Sequence, residues 1–205
     1  MEKIRLLYLV SLVSFLLSTS VISAKKAGSK EMIIELVPLG QILLSVLEDL
    51  QGHLGDLLEA EVLVGEAKAL PPEAYVPKRQ QYLSFPVLNL LAATRVPGQK
   101  DHLLLGIMDE DVFAPGLNFI FGQANPATRV AIISLRRLRP SFYGLPENER
   151  VFLERALKEA VHEIGHLLGL GHCPEPRCVM HFSNRLSDTD RKDFRFCPKC
   201  QKRLR

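Results

Sequence analysis

Three histidines and one glutamate near the carboxyl end of the chain have the types and spacing of a metal-dependent hydrolytic site. In the stretch HEIGHLLGLGH, His162 and His166 are four residues apart and Glu163 follows the first histidine. Histidines at positions i and i+4 of a helix lie one turn apart on the same face and can hold one ion. A carboxylate beside them can take a proton from a water on that ion, as a general base does.

A long helix must position these side chains. From Pro146, a residue favoured in a first helical turn, the chain has acidic residues near the start and apolar residues every three or four positions. This pattern predicts a helix over residues 146–170, with His162 and His166 almost opposite its apolar stripe.

Two glycines make a third histidine available to the same ion. Gly169 and Gly171 interrupt the helix, and glycine readily takes the left-handed conformation that ends a helix and redirects the chain. His172 can then return to the metal. Three neutral imidazoles leave the fourth tetrahedral position for a water, whose pKa zinc lowers to about 7. We therefore expect a catalytic zinc.

All four cysteines of the chain form a second candidate metal site. Cys173 and Cys178 make a C-x4-C pair, and Cys197 and Cys200 make a C-x2-C pair. Close pairs match the spacing of thiolates around a tetrahedral zinc, whereas disulfides more often staple a small chain across its length. We favour zinc over disulfides. Because four thiolates make a closed site, this would be a second, structural zinc.

The full signature H-E-x-x-H-x-x-G-x-x-H resembles that of the metzincin zinc peptidases, whose Met-turn follows downstream. Its continuation, H-C-x4-C-x-M with a later C-x-x-C, is similar to one branch of that group, the archaemetzincins. The region 96–139 and the tripeptide FYG at 142–144 also look like that family. The resemblance covers most of residues 32–205.

This resemblance implies a zinc metalloprotease with a role for each matching residue. Glu163 would be the general base, and Met180 would form the Met-turn beneath the metal. His181 matches no position of the pattern, and we expect it to be structural. The implied ligands are His162, His166 and His172 for the catalytic zinc and Cys173, Cys178, Cys197 and Cys200 for the structural zinc.

The rest of the chain alternates between strand and helix patterns, which predicts an α/β (α+β) fold with a mixed twisted sheet packed on helices. The resemblance implies the metzincin-like form of this fold, with a zinc-bound segment of four cysteines at its carboxyl end. Strands are expected at 32–40, 60–67, 101–113, 117–124 and 128–139, and helices at 41–55, 78–98 and 146–170. Residues 117–124 could be the sheet edge on which an extended peptide substrate pairs, or an ordinary buried strand.

The first 31 residues differ from the rest. A short basic start, an apolar run at 6–17 and small residues before Ala24 match a secretory signal peptide. Residues 4–23 could instead stay as a membrane anchor, because they approach the ~20 residues that span a bilayer. If the chain starts at Met32, it would be cytoplasmic and only the catalytic domain, 32–205, would remain. The mature amino terminus distinguishes these cases.

Composition indicates one globular domain, with 47% hydrophobic and 24% charged residues. We expect a monomer that acts on peptide or protein substrates. A rival is a zinc-ribbon module that binds nucleic acid through its KRLR end. The net charge of +3 gives little pull towards nucleic acid, so we expect no such partner.

A second rival is a peptidase fold that only binds, but the core catalytic residues are all present in the sequence. One further motif, SLRRLR, carries Arg136, Arg137 and Arg139. It could bind an acidic partner, but we expect a solvated strand end.

Overall fold

The computed structural model describes residues 32–96, 98–99 and 101–204. The predicted hydrophobic segment, 1–31, lies outside the described residues, so its fate stays a prediction. Among the helices of the described part, none has the length and apolar character needed to cross a lipid bilayer.

The described part contains strands and helices in alternation. The strands are β1 (Ile33–Leu39), β2 (Glu61–Val64), β3 (Tyr75–Val76), β4 (Gln81–Leu83), β5 (His102–Met108), β6 (Val112–Phe113), β7 (Gly122–Asn125) and β8 (Val130–Ser134). The α-helices are α1 (Leu44–Leu58), α2 (Ser84–Thr94), α3 (Glu149–Leu167), α4 (Leu186–Arg191) and α5 (Pro198–Leu204). Short 3-10 turns cover Pro72–Ala74, Arg136–Leu138 and Pro140–Tyr143.

The main sheet has five strands in the order β2-β1-β5-β8-β7. The first four are parallel, and β7 pairs antiparallel with β8, with Gly122 opposite Ile133. Most of β5 and all of β8 are buried, as the nearly continuous apolar runs of parallel strands covered on both faces predict. Strands β3, β4 and β6 form a small second sheet.

Helices cover both faces of the main sheet. On one face, α1 and α3 bury their apolar residues against Leu103, Leu105 and Ile107 of β5. On the other face, α2 packs against Leu104 and Met108. These residues alternate because successive side chains of a strand point to opposite faces. The predicted mixed α/β fold is confirmed.

Several element boundaries differ from the prediction. The expected strand 101–113 is two strands in different sheets, β5 and β6, separated by a bend. In the predicted helix 78–98, β4 precedes α2, and Pro86 lies in the first turn of α2, where no backbone N–H is needed. Helix α3 begins at Glu149 rather than at Pro146 because Asn148 caps it by accepting a hydrogen bond from Val151 N at 3.1 Å.

The expected strand 117–124 is wrong over most of its length, because only Gly122 to Ala124 lie in β7. Residues 114–121 take an irregular path instead. Gly116 has a φ of +83°, and the turn is closed by Leu117 N donating to Ala114 O at 3.0 Å. Because of this turn, pairing with β8 begins only at Phe121, whose carbonyl oxygen accepts a hydrogen bond from Ser134 N.

The buried face of α1 gives a stability prediction. Leu50 is 0% exposed in the core, whereas Leu44 on the same helix is 63% exposed. We expect Leu50→Ala to lower the free energy of unfolding by about 2–5 kcal/mol, because it removes methyl groups and leaves a cavity. Leu44→Ala is the matched control and should change it by no more than about 0.5 kcal/mol. Urea denaturation measures both, and equal effects would contradict the placement of α1.

Candidate active site

Helix α3 forms the floor of the candidate site. Its residues 155–165 are all buried, because the helix packs against α1 on one side and against β7 and β8 on the other. His162 and Glu163, both 4% exposed, lie in this buried stretch. A helix buried on all sides holds its side chains in fixed positions, which suits groups that must share one ion.

The end of α3 turns the chain back towards these groups. Gly169 has a φ of +90°, its N–H donates to His166 O, and Leu170 N donates to Gly165 O, both at 2.9 Å. This pair of bonds is the Schellman arrangement that ends many helices. The turn brings His172 to the first two histidines, as the glycine pattern predicted.

The three histidines lie together in space. Their closest ligand atoms are all within 4.8 Å of one another, and His162 Nε2 is 3.1 Å from His166 Nε2. The ring of His172 lies 5.4 Å and 4.9 Å, between centroids, from those of His162 and His166. Two ligand nitrogens of a tetrahedral zinc are about 3.3 Å apart when each Zn–N bond is about 2.0–2.1 Å. The observed spacing fits one shared zinc.

Hydrogen bonds orient the first two imidazoles for this purpose. His162 Nδ1 donates to Val179 O at 2.7 Å, and His166 Nδ1 donates to Leu170 O at 2.8 Å. Because a carbonyl oxygen only accepts, each Nδ1 carries the proton and each Nε2 presents a lone pair. Such bonds fix the tautomer and orientation of metal-binding histidines.

The surroundings also keep the imidazoles neutral. Burial lowers the pKa of His162 well below its usual value of 6.5, and the Lys192 ammonium lowers this pKa further. Burial also lowers the pKa values of His166 and His172. Neutral imidazole is the form that binds a metal ion.

Glu163 lies directly beneath the edge strand β7. A Cβ atom on Gly122 would approach Glu163 Cγ and Oε1 to 2.7 Å, so only glycine at position 122 leaves room for this carboxylate. Glu163 Oε2 is buried and has no hydrogen-bond partner among the described residues. A buried acceptor of this kind is suited to a water or a substrate N–H in the cleft.

The groups around Glu163 have opposite effects on its pKa. Burial raises the pKa of Glu163 well above its usual value, the nearby Glu159 carboxylate raises it further, and the Lys192 ammonium lowers it. Glu159 and Lys192 form a buried ion pair, with Oε1 and Nζ 3.0 Å apart. Thr189 Oγ1 donates to the same Glu159 oxygen at 2.9 Å. This buried ion pair lies close enough to the histidines for its ammonium to lower their pKa values.

Met180 packs against α3 from below. It is fully buried, and a Cβ atom on Gly165 would collide with its sulfur and would also come within 2.9 Å of Phe196 Cε1. The glycine thus lets the methionine lie against the helix at Gly165, one residue before His166. The resemblance implied a Met-turn at Met180, and this role stays a prediction.

The four cysteines form a separate cluster. Their Sγ atoms all lie within 4.8 Å of one another, with 3.8 Å between Cys173 and Cys197 and 3.7 Å between Cys178 and Cys200. All four are free thiols. Sulfur atoms around a tetrahedral zinc are about 3.8 Å apart when each Zn–S bond is about 2.3 Å, whereas disulfide sulfurs are about 2.05 Å apart. The donor set fits zinc.

One thiol of this cluster is especially acidic. Burial raises the pKa of Cys197, but hydrogen bonds from the Cys200 backbone and from the neighbouring thiols bring it down to about 7. A thiol that ionises near neutral pH is a ready metal ligand, because the thiolate is the form that binds.

Main-chain bonds join the two clusters. Val179 O, which accepts from His162, lies between Cys178 and Met180. Cys173 N donates to Met180 O at 2.9 Å, and His181 N donates to Cys178 O at 2.9 Å. His181 also hydrogen-bonds Cys173 O through Nδ1 at 3.1 Å, and its ring belongs to neither metal-ligand group. The loop that orients His162 is thus hydrogen-bonded to two of the four cysteines.

A cleft of about 820 Å³ opens above the three histidines and Glu163. One wall is β7 with residues 114–121, and another is the segment after Met180, where the Phe182 ring lies 4.8 Å from that of His172. The carbonyl oxygen of Phe121 accepts a hydrogen bond from Ser134 N of β8, so the main chain of Phe121 faces β8. By the alternation of antiparallel ladders, the main-chain groups of Gly122 and Ala124 therefore face the open side.

Some residues of the site carry no signal in a single sequence. Val179 and Leu170 contribute only carbonyl oxygens, which every residue has. Gly122 and Phe182 lie far from one another in the chain, and only the fold brings them to the same cleft. Lys192 is an ordinary surface residue type that is fully buried here.

Comparisons with known proteins agree with this architecture. The sequence model of peptidase family M54 matches residues 30–205. An archaemetzincin of Pyrococcus abyssi is 44% identical over 177 residues, which cover 82% of this chain and 92% of the relative.

Solved structures are similar as well. An archaemetzincin from Methanopyrus kandleri has a TM-score of 0.74 and 38% identity, over 85% of this chain and 93% of that chain. A zinc-dependent peptidase from Methanocorpusculum labreanum has a TM-score of 0.77 and 30% identity, over 84% and 100%.

Fold, histidine cluster and relatives together define a zinc-dependent metallopeptidase. The protein is a hydrolase that acts on peptides or proteins. More specifically, the chain belongs to peptidase family M54, the family of the archaemetzincins. The resemblance found in the sequence is thereby confirmed, while the roles of single residues stay predictions.

The close approach of Gly122 and Glu163 gives a prediction about catalysis. We expect Gly122→Ala to lower kcat by about 10- to 100-fold, because the added methyl displaces the carboxylate from its productive position. Zinc content should not change. Gly52→Ala, where a Cβ meets nothing within 4 Å, is the control. Steady-state kinetics and metal analysis measure both variants, and an unchanged kcat in Gly122→Ala would contradict this geometry.

Proposed function

We propose that the chain hydrolyses peptide bonds with Glu163 as the general base and with His162, His166 and His172 as the ligands of a catalytic zinc. One observation carries the proposal. Two Nε2 lone pairs and a third imidazole converge beside a buried carboxylate at the bottom of a cleft with an open strand edge. No other chemistry of the described residues uses all of these groups.

Zinc held by the three imidazoles would polarise the scissile carbonyl and lower the pKa of a water to about 7. Glu163 accepts the proton of the attacking water and later delivers a proton to the leaving amine. Burial and the nearby Glu159 carboxylate raise the pKa of Glu163 and so favour its neutral form, which is the form that delivers the proton, while the Lys192 ammonium favours the ionised form that accepts one.

The substrate would lie along β7 as an extended chain. The main-chain groups of Gly122 and Ala124 face the cleft and can pair with a peptide in the manner of an added strand. Such pairing uses only the substrate's backbone, so it places the scissile bond above Glu163 whatever the side chains. Phe182, 48% exposed on the opposite wall, offers an apolar surface to one of those side chains.

We also propose a second zinc, held by Cys173, Cys178, Cys197 and Cys200, with a structural role. Four thiolates leave no open position for chemistry. Their effect on catalysis would be indirect, because they fix the loop whose Val179 carbonyl orients His162.

The same site residues bear on the oligomeric state and on the partners of the chain. We propose that the chain acts as a monomer, since one chain supplies all the groups of the cleft, and that it contacts a membrane only if residues 4–23 are retained. A zinc-ribbon module for nucleic acid would explain the four cysteines but would leave the histidine cluster and Glu163 without a role.

Removing the general base tests the mechanism. We expect Glu163→Gln to lower kcat by about 100- to 10,000-fold, because an amide cannot take the proton, while zinc binding remains. Glu149→Gln is the control, since Glu149 is an exposed carboxylate of the same helix. Cleavage of an internally quenched peptide measures both. Full activity of Glu163→Gln would exclude this mechanism.

Metal content tests the two-site assignment. We expect two zinc ions per chain in the intact protein and one in His162→Ala. In Cys200→Ser, the structural zinc should be lost and the catalytic zinc should dissociate faster, because loss of the cysteine site frees the Val179 carbonyl. Plasma mass spectrometry gives the stoichiometry, and release to a chromogenic chelator gives the rate. A single zinc in the intact protein would require one of the sites to be abandoned.

A further inference from the structure

The wall of the cleft formed by residues 114–121, called the rim segment below, has no regular secondary structure. A wall without a hydrogen-bond ladder needs other contacts to hold its shape. At its carboxyl end, Phe121 is buried in the core and Ile120 N donates to Val112 O at 2.9 Å. Leu117, in its middle, is 44% exposed, and here polar side chains from outside the segment bind it.

Two side chains hold the backbone of the rim segment. Asn118 O accepts from Arg79 Nη2 at 2.8 Å and from Gln81 Nε2 at 3.0 Å. Arg79 Nε also donates to Gln81 Oε1 at 2.8 Å, which aligns the two donors. Gln81 is 5% exposed, so its bonds are protected from competing water.

Asp111 connects this pair to an arginine of the SLRRLR motif. Gln81 Nε2 donates to Asp111 Oδ2 at 2.9 Å. Arg137 donates to both carboxylate oxygens of Asp111 through Nε and Nη2, each at 2.7 Å. The two-pronged geometry is one of the strongest arrangements available to an arginine. The motif was expected to be a solvated strand end, which is right only for the exposed Arg136. Arg137 and Arg139 are half-buried and each binds a carboxylate.

Arg137 also contacts the rim segment itself. Its guanidinium lies over the ring of Phe119, 4.3 Å from the centroid, and over the ring of Phe142, 4.8 Å from the centroid. The Phe119 ring lies 5.2 Å from that of Phe121, the residue directly before β7. Contacts thus run from Arg137 through two rings to the strand that would bind substrate.

We propose that Arg137 is a positioning residue for the peptidase reaction. By holding Phe119 while bound to Asp111, it fixes the rim segment as the wall against which a peptide substrate packs. The proposal rests on the proposed function. Since Arg137 has no place among the groups that move protons or hold zinc, its effect should fall on substrate affinity and not on the chemical step.

The chain offers a matched control in Arg139. This residue also binds a carboxylate with two prongs, at 3.1 Å and 2.6 Å from Asp109, and also lies over a ring, 4.2 Å from the Phe152 centroid. The residues it binds do not belong to the rim segment. Lysine at either position keeps the charge but loses the planar fork and its stacking.

The experiment compares Arg137→Lys with Arg139→Lys on an internally quenched peptide. We expect Arg137→Lys to raise KM by about fivefold or more and to change kcat by less than about twofold, while Arg139→Lys changes neither. Phe119→Leu should raise KM similarly. The double variant Arg137→Lys with Phe119→Leu should be no worse than either single one, because both changes break the same contact.

Hydrogen exchange provides a readout that does not need turnover. Amides of the rim segment should exchange about tenfold faster in Arg137→Lys than in Arg139→Lys, since the weakened contacts let the segment open. If Arg137→Lys does not fold, Phe119→Leu carries the same two measurements. Equal KM values and equal exchange in the two lysine variants would overturn the proposal. An intact protein that cleaves no peptide would contradict the proposed function alone.

Discussion

The hydrogen bond from His162 Nδ1 to Val179 O joins the two halves of the site. On one side is α3, which carries the histidines and Glu163, and on the other is the loop between Cys178 and Met180. At 2.7 Å and out of contact with solvent, this bond has no competing water. Without it, the His162 ring would be free to turn, and its Nε2 would no longer face that of His166.

Burying α3 also buries charged side chains, and ion pairs offset the free-energy cost of removing those charges from water. Arg155, Lys158 and Glu159 are buried polar residues of this helix, and a buried charge destabilises the fold unless it is paired. Arg155 binds Asp190 through two nitrogens, at 2.7 Å and 2.9 Å, and Glu159 pairs with Lys192. Both partners come from the region around α4. These ion pairs therefore hold the segment between the two cysteine pairs against α3.

Much of this arrangement could be predicted from the sequence. The three histidines, Glu163 and the cysteine cluster all lie in local patterns, because helical spacing and close pairs are visible in a single chain. The irregular rim segment could not be predicted. Its residues have strand-like composition, but Arg79 and Gln81 bind its backbone from almost forty positions away in the chain, and such contacts leave no periodicity. The burial of Lys192 is hidden for the same reason.

His172 and Cys173 are neighbours in the chain but belong to different clusters. His172 is exposed towards the cleft, while Cys173 is buried with the other thiols. The short path between them also means that neither cluster can move without the other. Cys173 N bonds Met180 O, and Met180 lies against Gly165, one residue before His166. The loop that carries Val179 and Met180 thus contacts the histidine cluster, the cysteine cluster and helix α3. The cysteine cluster is therefore part of what gives the histidines their geometry, although in the proposed function it takes no part in the chemistry.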